Sequence, residues 1–129
     1  MATPLQVVEN FVVAFVDAWP KADSASVGAF FAEDALYCNG PLEPVRGRAA
    51  ITGALAAFMA MGGQVTVDMR TVLANDQLVM TERVDHFVLD DKTFALPVMG
   101  VFEVEDGKIV AWRDYFDLGQ FTTLLDRSD

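Results

Sequence analysis

The feature that most constrains the fold lies in the second half of the chain. From Gln64 onward, apolar residues recur at every second position in four runs, 64–74, 77–89, 92–104 and 108–118, broken only by "ND", "DD" and "EDG". A period of two belongs to a strand, whose side chains alternate between faces. Connections this short cannot carry the chain back for parallel pairing, so the runs predict an antiparallel meander.

The first half has the other period. In "TPLQVVENFVVAFVDAWP", Leu5, Val8, Phe11, Val12, Phe15 and Trp19 fall on one helical stripe. Thr3 can cap this helix, Pro4 suits its first position, Gln6 completes a capping box, and Pro20 ends the run. "SASVGAFFAED" reads as a second, short helix and "DALYCNG" as a short strand. "RAAITGALAAFMAM" reads as a third helix closed by Gly62-Gly63, and "GQFTTLLD" as a last short helix. With 129 residues, no repeat and no linker, the expectation is one domain, 1–129, of the α+β class. Its N-terminal helices should pack on a strongly curved, mostly antiparallel mixed sheet.

Composition removes several functions. A net charge of −10 opposes nucleic acid and anionic membrane as partners. No apolar run is long enough to span a bilayer. The first helix carries Glu9 and Asp17 without a basic start, so it does not read as a signal peptide. The single Cys38 excludes an intrachain disulfide and fits a reducing cytoplasm. One His and one Cys are a poor basis for zinc, so neither metal nor cofactor is expected. Ten Phe and six Met in a chain that is 53% apolar suggest an apolar pocket, a buried interface or simply a rich core.

Chemistry enters with "TERVDHF", 81–87, where Arg83 and Asp85 stand two apart and so share a strand face. An Arg-x-Asp pair on a strand is most often a solvated ion pair. In "VAWRDYFDL", however, Asp114 shares the face of Val110, Trp112, Phe116 and Leu118, where a carboxylate needs a reason. A three-residue "EDG" loop sets Val98 opposite Asp114, and a two-residue "DD" turn pairs Asp85 with Leu96 and Arg83 with Val98. Arg83, Asp85 and Asp114 then project from one apolar face, with roughly 10 Å between the acids' backbones at two strand spacings. The arginine fork can bond both carboxylates at once. Burial and repulsion should leave one acid holding a proton, giving a general acid and a general base. Tyr37 and Asn39 of "YCNG" also share a face, and a phenol beside a carboxamide can fix a water. The candidate pocket wall is Phe87, Leu96, Val98, Met99, Phe116 and Phe121, Met99 despite a phase that points away from the acids. His86 phases opposite to Asp85 and reads as a surface residue, and Cys38 as packing.

"LYCNG", "ERVD", "VMGVFEVEDGKI" and "WRDYFDLGQF" together resemble the limonene-1,2-epoxide hydrolase family, within the SnoaL-like and nuclear-transport-factor-2-like cone fold. The similarity runs over nearly the whole chain. It implies that Asp114, Tyr37 and Asn39 hold an attacking water, that Asp114 takes its proton, that Asp85 protonates the epoxide oxygen, and that Arg83 bridges the aspartates. It also implies a homodimer acting on a small apolar epoxide. Two other classes stay open: an isomerase or cyclase of the ketosteroid-isomerase kind, which needs one base and an oxyanion donor, and a non-catalytic binder of small apolar ligands.

Overall fold

Thr3 opens the first helix by the expected reciprocal cap. Its hydroxyl accepts the Gln6 N–H at 3.2 Å while Gln6 Oε1 accepts the Thr3 N–H at 2.9 Å. The computed structural model describes residues 2–125, in the order α1 (Pro4–Ala18), α2 (Ser24–Gly28), β1 (Phe31–Asn39), β2 (Val45–Arg46), α3 (Arg48–Met59), β3 (Gln64–Ala74), β4 (Leu78–Leu89), β5 (Lys92–Glu105), β6 (Lys108–Tyr115) and α4 (Leu118–Leu125). The six strands form one open mixed sheet in the order β2-β1-β6-β5-β4-β3. Helix α1 lies across β3 to β6, and α3 packs on β1 and β2. Among the described residues no helix is long and apolar enough to cross a membrane.

The meander β3 to β6 is the one expected, and the β4–β5 register pairs Leu89 with Lys92, Asp85 with Leu96 and Arg83 with Val98 as anticipated. The next hairpin differs. Glu105 pairs with Lys108, so the loop is two residues, Asp106 (φ 51°) and Gly107 (φ 76°), both left-handed as a type I′ turn requires. The ladder then shifts between Val104 and Glu103, with Val110 as the extra residue. Such a bulge changes which residue faces the core. Ile109 is fully buried in place of Val110, and Asp114 lies opposite Gly100 rather than Val98. The extra residue returns Trp112 and Asp114 to the expected face.

The second helix is shorter than its apolar residues suggested. It stops at Gly28, and "FAED" belongs to β1. The pairing of β1 with β6 is irregular between Phe31 and Leu36, and Glu33 is exposed between buried Phe31 and Ala35. A broken alternation hides a strand from a period-two search. Strand β2, two residues paired with Leu36 and Tyr37, is too short to leave any pattern.

The core centres on Phe11 of α1, whose ring lies 5.1–6.0 Å from those of Phe15, Phe30, Phe31, Phe102 and Trp112. These rings join α1 to β1, β5 and β6. Phe11→Ala should therefore lower the unfolding free energy by about 3–5 kcal/mol, read from denaturant titration.

Candidate active site

Antiparallel pairing of β4 with β5 and of β5 with β6 carries Arg83, Asp85 and Asp114 onto the helix-covered face of the sheet. All three are shielded, with side-chain exposures of 7%, 15% and 5%. Arg83 grips both acids with its fork. Its Nε and Nη2 donate to Asp85 Oδ1 and Oδ2 at 2.9 and 3.3 Å, and its Nη1 and Nη2 donate to Asp114 Oδ1 and Oδ2 at 3.1 and 2.6 Å. A third donor on Asp114 is the Trp112 indole, whose Nε1 lies 2.8 Å from Oδ1.

The parallel pairing of β1 with β6 brings in the second group. Tyr37 is level with Trp112 and Asn39 with Asp114. Tyr37 stacks on Trp112 with centroids 4.4 Å apart, and the Gly40 N–H donates to the Asp114 carbonyl at 2.8 Å, holding the turn after Asn39. Among the described residues neither the Tyr37 hydroxyl nor the Asn39 side chain spends a hydrogen bond on the protein. Both line the cavity and are available to a guest.

That cavity holds about 110 Å³. A water needs only about 10–15 Å³ on this measure, so a small organic molecule and a water fit together. Its polar lining is Tyr37, Asn39, Arg83, Asp85 and Asp114, and its apolar lining includes Phe87, Leu96, Val98, Phe116 and Phe121. Met99 is not a wall residue. Alternation sends it to the outer face, where it is half exposed beside Pro97 and Tyr115. His86 is exposed and does not line the cavity.

Sequence reasoning missed what the helices contribute, Phe15 from α1, Trp19 at its C-terminal cap and Phe58 from α3, and it gave Trp112 no polar role. The signal for Trp112 was present. It stands two residues before Asp114 on the same face, the spacing that links Arg83 to Asp85. The offset of the acids along the strands is also larger than the expected register implied. Asp114 is level, through Gly100, with Thr81, four residues along β4 from Asp85. At about 3.3 Å per residue this adds roughly 13 Å along the strand to the lateral spacing. The reach of Arg83 closes that gap.

Burial dominates the electrostatics. It raises the Asp85 carboxyl above its ordinary value against the opposing pull of Arg83, and the charge of Asp114 adds to the rise. Burial works against the Arg83 charge too, but Asp114 and then Asp85 outweigh it and hold the guanidinium firmly protonated. The Tyr37 phenol is raised well above its usual value, first by burial and then by Asp114, so it stays a donor. Among the described residues no cluster of His, Cys, Asp and Glu could hold a metal ion.

The model of the limonene-1,2-epoxide hydrolase catalytic domain matches residues 2–127. The chain belongs to this family. Among its relatives, "Epoxide hydrolase EphG" of Mycobacterium tuberculosis is 34% identical over 107 residues, 83% of this chain and 71% of that protein. A solved structure described as an LEH-like epoxide hydrolase from M. tuberculosis has 34% identity and a TM-score of 0.70, covering 92% of this chain and 90% of that one. A Catenulispora acidiphila protein described as having a ketosteroid isomerase-like fold, in complex with trimethylamine, has 25% identity and a TM-score of 0.72, covering 91% and 88%. The six-stranded sheet with its helices is thus the fold shared by limonene-epoxide hydrolase relatives and ketosteroid isomerase-like proteins.

The charge balance of this family member has a measurable consequence. A carboxyl whose pKa is higher in the folded than in the unfolded state favours folding only while protonated. For Asp85 that contribution is complete below the ordinary value of 3.8 and is lost as pH rises through the raised folded value. Asp85→Asn should therefore melt at or above the wild-type temperature at pH 7, with the difference vanishing near pH 3–4. Arg83→Ala leaves two buried carboxylates without their partner and should cost about 3–5 kcal/mol at pH 7 by denaturant unfolding.

Proposed function

We propose that the chain is a cofactor-independent epoxide hydrolase, adding water to a cyclic or terpene-like epoxide of the limonene 1,2-epoxide kind to give a vicinal diol in one step. The observation that carries this reading is a single guanidinium shared by two shielded carboxylates that line an apolar cavity. Family membership and the identity to an epoxide hydrolase support the substrate class. In this reading 1–129 works as one catalytic domain.

Asp114 is the general base. Tyr37 and Asn39, whose polar groups are free to bind a guest, hold the attacking water against it. Asp85 is the general acid, since burial makes its carboxyl hold a proton more readily than an ordinary carboxyl does. As the water oxygen bonds to a ring carbon, its proton passes to Asp114, the ring C–O bond breaks, and the ring oxygen takes the proton of Asp85. One water is consumed and one diol leaves. Asp114 then returns its proton to Asp85 through solvent, which resets the site. An epoxide is strained, but its leaving group is an alkoxide; a proton delivered during attack avoids forming that alkoxide. Acid and base assistance are each worth typically ~10²–10⁴-fold. A fixed water adds an entropic gain. Isomerase or cyclase chemistry in this site would leave the second carboxylate without a task.

Opening through an aspartyl ester needs a histidine or similar base to activate the second water. His86, exposed and outside the cavity, cannot serve. A single turnover of limonene 1,2-epoxide in ¹⁸O-water, with enzyme in excess, should put label in the diol in the first cycle and leave the protein mass unchanged. Asp85→Asn and Asp114→Asn should each lose at least ~10²-fold in kcat with the fold intact. Label recovered in an aspartate, or near-normal turnover by either variant, would reject the scheme.

The working assembly in this reading is a homodimer in the cytoplasm. The single Cys38 suits a reducing compartment. The outer face of the sheet supplies an apolar surface: Leu73 beside Met80, and Met99 beside Tyr115, are each at least 46% exposed. Light scattering should give twice the chain mass for the wild type and one chain mass for Met99→Lys. A monomeric wild type would remove the dimer from the proposal.

A further inference from the structure

Strand β5 passes between the strands that carry Arg83 and Asp114, and at the crossing it has no side chain. Gly100 pairs with Thr81 on β4 and with Asp114 on β6. A Cβ built there would lie 2.7 Å from Arg83 Nη1, 2.7 Å from Asp114 Oδ1 and 3.0 Å from Thr81 Oγ1. The first two atoms are the partners in a 3.1 Å hydrogen bond, and the same Oδ1 accepts the Trp112 indole N–H. Gly100 is not among the glycines with left-handed backbone, so its φ does not require glycine. The neighbours on its row, Leu96, Val98, Phe102 and Val104, are all large and buried. Glycine inside a strand is unfavourable in itself, and its use there marks a close approach by another group.

We propose that Gly100 is a positioning residue: its missing side chain is the space in which Arg83 and Asp114 meet. Any side chain there drives the base away from its guanidinium and from the Trp112 indole. This inference rests on the roles given above to Arg83 and Asp114.

The two tryptophans allow a test that does not depend on turnover. Trp112 Nε1 donates to Asp114 Oδ1 and Trp19 Nε1 donates to the Gly62 carbonyl, both at 2.8 Å. A proton–nitrogen correlation spectrum separates the two indole peaks, and Trp112→Phe assigns them. Gly100→Ala should move the Trp112 peak and leave that of Trp19 in place. On a cyclic epoxide, kcat should fall roughly tenfold or more while KM changes by less than about threefold, because substrate is still bound but the base is displaced. Gly53→Ala, where an added Cβ meets nothing, should alter neither measurement. An unmoved Trp112 peak, or a wild-type kcat, in Gly100→Ala overturns the proposal. Full turnover by Asp114→Asn brings down the catalytic reading instead; an inactive Asp114→Asn beside a fully active Gly100→Ala brings down the role of Gly100 alone. Should Gly100→Ala fail to fold, the double variant Gly100→Ala/Asp114→Ala lacks both the oxygen that the new methyl meets and the partner that holds Arg83 Nη1 beside it, so the tip of that long side chain can shift aside. It should fold as Asp114→Ala does, and a double variant that stays unfolded overturns the proposal.

Discussion

One guanidinium held between two shielded carboxylates is the constraint on which the rest of the site depends. Three ionisable groups taken out of water cost several kcal/mol each in their charged forms unless their partners and hydrogen bonds are nearly ideal. Arg83 meets that demand with four donated bonds, two to each acid, and Trp112 adds a fifth to Asp114. Each bond fixes something else. Asp85 must stand two residues from Arg83, β5 must be bare at Gly100, and Trp112 must turn its indole nitrogen toward Asp114 on its own strand. Phe11 and its ring of aromatic neighbours then hold α1 against β5 and β6, two of the strands that bear these groups.

The shielding that makes the arrangement costly also differentiates the two acids. Asp85 receives hydrogen bonds from Arg83 alone and is pushed by burial toward the protonated form. Asp114 is surrounded by the Arg83 fork and the indole. Two carboxylates in unlike surroundings are suited to opposite proton-transfer tasks. Arg83, Asp85 and Asp114 are bonded to one another and Asn39 is level with Asp114, so an apolar guest in the cavity would be oriented by the one polar group it carries. The fold itself serves several chemistries, and the case for this one lies in the residues of the site.

Much of this was legible in the sequence, because side-chain alternation is a local property. The period of two placed Arg83 beside Asp85 on one face, exposed Asp114 as a carboxylate in an apolar row, and sent His86 outward. Pairing through the tight "DD" turn followed from its length alone. Cap chemistry located α1, since Thr3, Pro4 and Gln6 lie within one turn of each other. The resemblance of "LYCNG" and "WRDYFD" to the limonene-epoxide hydrolases joined Tyr37 and Asn39 to the acids, which spacing alone could not do.

What only the tertiary structure decided is everything that depends on distance between segments far apart in the chain. The bulge at Val110 moved Asp114 from Val98 to Gly100 without altering its face, and a bulge leaves too small a mark on the pattern to be read in advance. The parallel pairing of β1 with β6 set Asn39 beside Asp114, a contact across 75 positions that no local period encodes. The bond from Trp112 to Asp114 and the empty space at Gly100 appear only when three strands lie side by side. Sequence determined which face each residue occupies, because that is set by neighbours one and two positions away. Structure decided which residues meet on that face, because register, bulges and strand order are settled by packing of the whole sheet.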